Sequence, residues 1–202
     1  YSHARLTYAD VAAMLQPADT ASELRLQDKL RQRHARLTEP LDSLYALFRS
    51  LRLGRERGGA MDFDSIETRM VFGKDRKIRE IGPVVRNDAH RLIEECMLCA
   101  NVAAADLLGN AKLPALYRIH EGPNQDKLDT LRDFLSEMGL YLGGGDKPTT
   151  GDYQTVLQQI AERPDRHLLQ TQLIRSMMQA VYSPENCGHF GLNFSKYTHF
   201  TS

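Results

Sequence analysis

The stretch Asn87-Asp-Ala-His-Arg-Leu-Ile-Glu-Glu-Cys-Met-Leu-Cys-Ala-Asn101 carries the strongest helical signal in this chain of 202 residues. Asn87 or Asp88 can cap the start of a helix, and Gly109 lies near its expected end. Apolar residues recur at helical spacing at Ala89, Leu92, Ile93, Cys96, Ala100 and Ala103, with Leu98 and Val102 on other faces. The pattern predicts a largely buried central helix.

Similar periodicity predicts further helices on both sides of this one. Thr7 and Asp10 resemble a capping box that opens a short helix, which Pro17 ends. Four longer helices are predicted: Leu37 to Leu51 with one buried stripe, ended by Gly54, Gly58 and Gly59; Leu128 to Met138, ended by Gly139; about 152–162, stopped by Pro164; and about 165–182, with Leu169, Leu173, Met177 and Val181.

Two regions show the shorter period of strands. Short strands are predicted around Met61 and Phe63, around Met70 and Phe72, at Ile78, and over 116–119. A hairpin turn is predicted at Gly73-Lys74-Asp75. The loop from Gly143 to Pro148 is too short to link two domains, and no internal repeat is present. The predicted fold class is therefore α+β, a helix-rich mixed segment.

The composition excludes some classes of function. The chain has 26 basic and 26 acidic residues, whereas a non-specific nucleic-acid binder usually has a basic excess. Local basic clusters at 25–36, 49–57 and 74–79 are interpreted as solvated faces, because leucines or acids interrupt them. No apolar run approaches the ~20 residues that cross a membrane, and the first residues do not predict a signal peptide. Three cysteines cannot all pair, so we expect a cytoplasmic protein with free thiols.

Glu94 and Glu95 are adjacent carboxylates on the most apolar helix. Neighbouring positions differ by about 100° around a helix axis, so the two side chains cannot share one environment. One of them is expected at the edge of the core or in a cleft. It would either form a salt bridge with Arg91 or Arg86 or accept a hydrogen bond from a ribose 2′-hydroxyl. The residues alone favour the salt bridge.

Other candidate motifs favour structural interpretations. Cys96 and Cys99 have metal-ligand spacing, but no second pair exists and core cysteines are the better interpretation. Asp62, Asp64 and Glu67 could form a hard-metal site, although a solvated acidic cluster is commoner. His189 and His199 lie beside aromatics, where packing or backbone hydrogen bonding is favoured over acid–base chemistry.

The C-terminal stretch is rich in aromatics that need a surface to pack on. Phe190, Phe194, Tyr197 and Phe200 fall within eleven residues. Such a cluster is typical of the interior of a larger domain.

Four blocks of sequence carry a family resemblance. They are Ser2-His-Ala-Arg-Leu-Thr-Tyr8, Arg57-Gly-Gly-Ala-Met-Asp-Phe63, the stretch 87–101, and Ser183-Pro-Glu-Asn-Cys-Gly-His-Phe-Gly-Leu192 with Tyr197-Thr-His-Phe-Thr-Ser202. In this order they resemble the catalytic RNB domain of the ribonuclease II and ribonuclease R family, and they are more similar to the ribonuclease R branch. The resemblance covers the whole chain and supports the α+β fold class.

The resemblance implies an activity and site residues. The family degrades RNA hydrolytically from its 3′ end and releases nucleoside 5′-monophosphates. Tyr8 and Glu94 match a tyrosine and a glutamate that recognise ribose near that end, and Phe63 matches a phenylalanine that clamps the terminal bases. His189 is a further candidate RNA contact. The family's Mg²⁺ is held by aspartates expected outside this segment, so no catalytic or metal-binding residue is assigned within it.

The domain prediction is that residues 1–202 form a partial RNB domain, which lacks the upstream aspartate cluster and the downstream arginine motif. The expected partner is the 3′ end of single-stranded RNA, with no membrane contact. The segment alone is predicted to be inactive, within an active parent exoribonuclease, and to line the RNA channel. The alternative is a non-catalytic helical protein-interaction domain, which the zero net charge and the leucine-striped helices support.

Overall fold

The computed structural model of the chain describes residues 2–61, 63, 68–84 and 86–201. Helices predominate among them, accompanied by two small antiparallel sheets, which confirms the α+β, helix-rich class. The chain divides into two compact units. The first comprises Tyr1–Arg52 and Ser65–Cys96, and the second comprises Leu53–Asp64 and Met97–Ser202.

The first unit begins with α1, Tyr8–Leu15, at the predicted cap. Thr7 Oγ1 accepts a hydrogen bond from the backbone N–H of Asp10 at 3.1 Å and donates one to the Asp10 carboxylate at 2.7 Å. The first of these bonds gives an acceptor to a backbone N–H that has no partner within the first turn of the helix. The helix ends at Leu15, and its C-cap residue Gln16 lies directly before Pro17, as predicted.

The next helix, α2 over Ala21–Arg33, was not predicted. Leu30 is its only buried residue among those described, so the helix carries too weak an apolar stripe for periodicity to reveal it. The available signal was the spacing of Thr20 and Glu23, which form a complete capping box. Gln27 and Arg31 of α2 each donate a hydrogen bond of 2.9 Å to carbonyls at the end of α1.

Two long helices pass from one unit into the other along the chain. Helix α3, Ala35–Arg57, includes Gly54 and ends directly before Gly58. Its predicted buried stripe is only partly confirmed, because Phe48 is buried whereas Leu44 is 40% exposed.

Helix α4, Asp88–Asn110, confirms the prediction from the stretch 87–101. Asn87 Oδ1 caps it by accepting from the N–H groups of Ala89 and His90 at 3.1 and 3.2 Å. It is less buried than predicted: Ile93 is 42% exposed and Leu107 70% exposed, so this helix presents apolar side chains on its outer face too. Cys99 is likewise exposed and Cys96 half-buried, so neither is the core cysteine that was predicted.

The hairpin predicted around Gly73 is present in the first unit. Strand β1, Thr68–Phe72, pairs antiparallel with β2, Ile78–Pro83, and a bulge falls between Val71 and Phe72. The backbone N–H of Gly73 donates to Lys77 O at 2.9 Å and closes the turn. Met61 and Phe63 lie outside any strand, contrary to prediction.

The core of the second unit lies among α5, Gln125–Glu137, α6, Thr150–Ile160, and α7, Arg166–Ser176. Its buried side chains are Met61, Leu128, Leu131, Leu135, Leu142, Tyr153, Val156, Leu157, Ile160, Leu169, Leu173 and Met177. Full burial of each aliphatic side chain contributes ~1.5–3 kcal/mol. The apolar spacing that predicted α5 and α7 therefore also placed their core residues correctly, apart from Val181, which lies beyond α7 and is exposed.

A second small sheet completes this unit. Strand β3, Tyr117–Ile119, pairs with β4, Val181–Ser183, and a 3₁₀ turn follows at Phe190–Leu192. Helix α7 ends at Ser176, so the prediction that it continues to residue 182 was wrong. Val181 instead gains a ladder partner in Ile119, a pairing between distant segments that periodicity does not report. Within the described part of the chain, no helix has the length and apolar character needed to cross a membrane.

Candidate functional site

Tyr8, the first ribose-contact candidate, packs on a histidine of α4 in the first unit. Its ring stacks on that of His90, with centroids 4.0 Å apart and planes inclined by 19°. Asn87, which caps α4, also places its Nδ2 3.4 Å from Tyr8 O. Tyr8 remains 46% exposed, so the ring is held in place and accessible from solvent.

Glu94, the second ribose-contact candidate, lies one helical turn after His90. Residues four apart share a helix face, so Tyr8, His90 and Glu94 belong to one surface of the first unit. His90 was not among the residues predicted from the sequence, although its spacing from Glu94 was a usable signal. The structure brings the two predicted ribose contacts to the same helix face.

Arg86 is the ion-pair partner of Glu94. Its Nε lies 3.0 Å from Oε1 and 3.1 Å from Oε2, and its Nη2 also bonds Oε2. The other predicted partner, Arg91, pairs instead with Asp88 at 3.2 Å. The salt bridge favoured from the residues is therefore confirmed, with Arg86 as the partner.

Glu94 and Glu95 occupy different environments, as the helix geometry predicted. The side chain of Glu94 keeps 40% of its surface accessible, whereas Glu95 is only 4% exposed. Glu94 is thus the carboxylate of the pair that a ligand can reach.

Phe63, the base-stacking candidate, belongs to the second unit. It is half-buried and packs against the hydrophobic core of that unit. This position matches the structural interpretation of a core-facing residue, and part of the ring remains accessible. The neighbouring carboxylates Asp62, Asp64 and Glu67 lie outside the described residues.

His189 and its neighbour His120 are fixed by backbone groups. His120 Nε2 lies 2.7 Å from Met178 O and donates to it, so its Nδ1 accepts from Gly191 N–H at 2.9 Å. His189 Nδ1 accepts from Leu192 N–H at 3.2 Å. The two rings meet edge to face with centroids 5.0 Å apart. The backbone-bonding interpretation of His189 is confirmed by this geometry.

Burial keeps both histidines uncharged. It lowers the pKa of His120, and the positive charge of Arg118 acts in the same direction. Burial, followed by the neighbouring His120, lowers the pKa of His189 to about 4. Both rings are therefore neutral at pH 7, and each presents one acceptor nitrogen to a backbone N–H.

The C-terminal aromatics pack around this histidine pair. Phe190 meets Tyr153 edge to face at 5.9 Å, and Tyr197 meets His189 at 5.5 Å. The predicted need for a packing surface is met for Tyr197, which is 4% exposed, but not for Phe200, which is 65% exposed. An open groove of about 750 Å³ beside the cluster is lined by His120, His189, Cys187, Phe194 and Ser195.

The residues that the structure describes do not fit a magnesium site. Nowhere among residues 2–61, 63, 68–84 and 86–201 do three or more His, Cys, Asp or Glu side chains converge as ligands would. Magnesium prefers several oxygen ligands in octahedral geometry. No catalytic step is therefore assigned to these residues.

Curated relatives match the chain along its whole length. Ribonuclease R of Vibrio parahaemolyticus is 49% identical over 201 residues, and ribonuclease R of Escherichia coli is 46% identical over 201 residues. The chain spans 23% and 24% of the lengths of these two relatives.

A solved structure has the same fold. Ribonuclease R of Mycoplasma genitalium, in complex with ribose-methylated single-stranded RNA, superposes with a TM-score of 0.74 at 24% identity. The match covers 93% of this chain and 27% of that one. The family model for the RNB domain matches residues 1–202. The chain therefore belongs to the RNB domain family.

Proposed function

We propose that this chain is part of the catalytic domain of a longer exoribonuclease of the ribonuclease R type. This enzyme would hydrolyse single-stranded RNA from its 3′ end and release nucleoside 5′-monophosphates. The support is the family match over residues 1–202 together with the identity to two ribonucleases R. The enzyme would use Mg²⁺ held by residues other than those described.

We further propose that the chain lines the RNA channel of this enzyme. Tyr8 and Glu94 would contact ribose near the 3′ end, Phe63 would stack on bases, and His189 would contribute an RNA contact from its groove. Base–aromatic stacking stabilises binding by ~1–3 kcal/mol per base and tolerates any base, which suits an enzyme that moves along RNA of any sequence.

The geometry of Glu94 is the observation that carries this role. A carboxylate offers about four lone-pair sites, and the N–H groups of Arg86 approach from one side. With 40% of the side chain accessible, the carboxylate can also accept a hydrogen bond from a 2′-hydroxyl. The Arg86 salt bridge and the ribose contact are therefore compatible, and the salt bridge fixes the orientation of the carboxylate.

The test is Glu94→Ala in the full-length protein. DNA lacks the 2′-hydroxyl, so the change should lower the rate on a single-stranded RNA relative to the matched DNA. The ratio of the RNA cleavage rate to the DNA cleavage rate should fall by about tenfold, since a hydrogen bond to a charged group is worth ~1.5–3 kcal/mol. The melting temperature should change little, because an exposed ion pair contributes only ~0–1 kcal/mol.

Glu95→Ala is the matched control, since the adjacent carboxyl is buried. It should lower the melting temperature and leave the ratio of RNA to DNA cleavage in the folded protein unchanged. An unchanged ratio in Glu94→Ala, together with a collapsed melting temperature, would show that Glu94 has only the structural role. A wild-type protein that degrades no RNA would contradict the proposed activity itself.

A further inference from the structure

The β1–β2 hairpin of the first unit exposes an apolar face. Met70 lies opposite Ile81 in the register, and Phe72 lies opposite Ile78. Side chains two apart on a strand and directly opposite across an antiparallel pair point to the same side, so these four residues form one face. Their exposed fractions are 51% for Met70, 62% for Ile81, 60% for Phe72 and 50% for Ile78.

The hairpin is also strongly basic. Residues 68–83 contain five cations, Arg69, Lys74, Arg76, Lys77 and Arg79, and two carboxylates, Asp75 and Glu80, which leaves a net charge of +3 (5 − 2). All five cations are exposed, and within the described residues no ion pair engages them.

The two carboxylates of the hairpin differ in position. Asp75 folds into the turn, where its Oδ1 accepts from Lys77 N–H at 3.3 Å. Glu80 is paired with Val71 in the register, so its side chain projects from the opposite side of the sheet. The turn therefore carries three exposed cations, Lys74, Arg76 and Lys77, and a single carboxylate that already accepts a backbone hydrogen bond.

The turn that follows Phe72 carries three exposed cations, Lys74, Arg76 and Lys77. Arg79 falls at the bulge, and its Cδ lies 3.8 Å from where a Cβ on Gly73 would stand, with Asp75 Oδ1 2.6 Å from the same point. The charge offered to a ligand beside Phe72 is therefore that of the turn. An exposed aromatic ring next to a cationic turn suits a nucleotide, whose base stacks on the ring while its phosphate meets a cation.

The size of the face fits a short piece of a single strand. Two residues along a strand span about 6.8 Å, and neighbouring strands lie about 4.8 Å apart. The four side chains thus cover an area suited to one or two bases. A globular protein partner would need a much larger contact of about 800 Å² on this side.

We propose that this face of the hairpin is an additional contact for single-stranded RNA, with a base stacked on Phe72 and the backbone phosphates close to Lys74, Arg76 and Lys77. The proposal rests on the proposed function for its ligand. It adds a site distinct from Tyr8, Phe63, Glu94 and His189.

The test compares Phe72→Leu with Phe72→Trp in the full-length protein. The probe is a fluorescent uridine oligonucleotide of about 20 nucleotides, longer than the ~4–16 that one single-strand binding platform usually covers. Fluorescence anisotropy is measured with EDTA present to suppress cleavage. Leucine keeps the apolar contact and removes the stacking, so Phe72→Leu should weaken binding by about tenfold. Phe72→Trp should keep the affinity of the wild type.

A second variant tests the charge independently of the ring. Replacing Lys74, Arg76 and Lys77 together by Gln changes only the exposed turn, so the fold should be retained. The slope of log affinity against log salt should fall by about 0.7 for each phosphate that the variant no longer neutralises. Tyr141→Leu is the matched aromatic control, because Tyr141 is 77% exposed in a loop of the other unit. This substitution should leave both the affinity for the oligonucleotide and the salt slope unchanged.

Several results would overturn the proposal. They are wild-type affinity in Phe72→Leu, equal reductions of affinity in Phe72→Leu and Phe72→Trp, or an unaltered salt slope in the triple variant. The first would leave the face to apolar docking of a protein surface, and the second would show that the loss of affinity does not come from the loss of stacking. RNA binding by the wild type separates these results from a failure of the proposed function, in which no variant would bind the oligonucleotide.

Discussion

At the scale of single residues, His189 shows how burial changes the chemistry of a side chain. Its pKa falls from 6.5 to about 4, chiefly through burial and then through the neighbouring His120. Above pH 6.5 the ring is neutral in both the folded and the unfolded chain. Between pH 6.5 and about 4 the unfolded chain binds a proton that the folded chain does not, so the folded state loses stability as the pH falls through this window.

The prediction for His189 is a pH-dependent loss of stability that one substitution reduces. Between pH 7 and pH 4 the free energy of unfolding should fall by roughly 2 kcal/mol from this residue, less than the full shift implies because the ring is only partly buried. Calorimetry of the full-length protein across this range measures the effect.

His189→Asn is the matched variant, since an amide oxygen can still accept from Leu192 N–H but does not titrate. The variant should show a shallower pH dependence than the wild type, and the remainder includes the contribution of His120. Identical pH profiles in the two proteins would remove His189 as a cause.

Glu94 and Glu95 illustrate how much a residue pattern can predict at this scale. The angle between adjacent helical positions predicted two different environments, and the structure confirms this with 40% exposure for the Glu94 side chain and 4% for Glu95. The sequence did not say which of the two is accessible. That choice depends on what packs against α4, which local spacing does not contain.

At the scale of elements, hydrogen bonds at the helix ends explain where several helices begin. Thr149 caps α6: its Oγ1 accepts from Asp152 N–H at 3.4 Å, and Asp152 Oδ2 accepts from Thr149 N–H at 2.7 Å. Hydrogen bonds from the Thr149 side chain and backbone also lower the pKa of Asp152. This capping box lies directly before the buried residues Thr150 and Tyr153.

Thr149→Ala should lower the free energy of unfolding by about 1 kcal/mol, because it removes the acceptor for a backbone donor in the first turn. The midpoint of urea unfolding measures the loss. Thr149→Ser keeps the hydroxyl and should restore most of the stability. If serine proved as destabilising as alanine, the hydroxyl could not be the cause.

The small sheets show where element prediction fails. The β1–β2 turn is encoded within a few residues, and it was predicted at the correct place. Strand β4 was assigned to a helix instead, because its partner β3 lies more than sixty residues earlier in the chain. Local propensity for such short segments is weak, and the ladder decides their conformation.

At the scale of the whole molecule, Asn101 ties α4 to the C-terminal stretch within the second unit. Its Nδ2 donates to Tyr197 Oη at 3.1 Å and Thr201 O at 3.0 Å, and its Oδ1 accepts from Phe200 N–H at 3.0 Å. The side chain is 1% exposed. These contacts join residues about a hundred positions apart and hold the C-terminal stretch against α4.

Asn101→Ala should destabilise the fold by about 2–4 kcal/mol, since it removes buried and partly buried hydrogen bonds of the Asn101 side chain. Thermal unfolding measures the loss, and limited proteolysis should show faster cleavage near Phe200. Asn110→Ala, at the exposed end of the same helix, should change stability by less than about 0.5 kcal/mol. Equal effects of the two substitutions would contradict the role assigned to Asn101.

The amino-acid pattern alone was enough to predict the helices that have strong apolar spacing, the hairpin turn, the α+β class and membership of the RNB family. These features depend on residues within one or two turns of each other, or on whole motifs in order. The folded chain was needed to show that Arg86 holds Glu94, that Tyr8 stacks on His90, and that His120 and His189 stay neutral. Ion pairs, ring contacts and burial arise between atoms that the chain brings together only when it folds, so local spacing does not contain them.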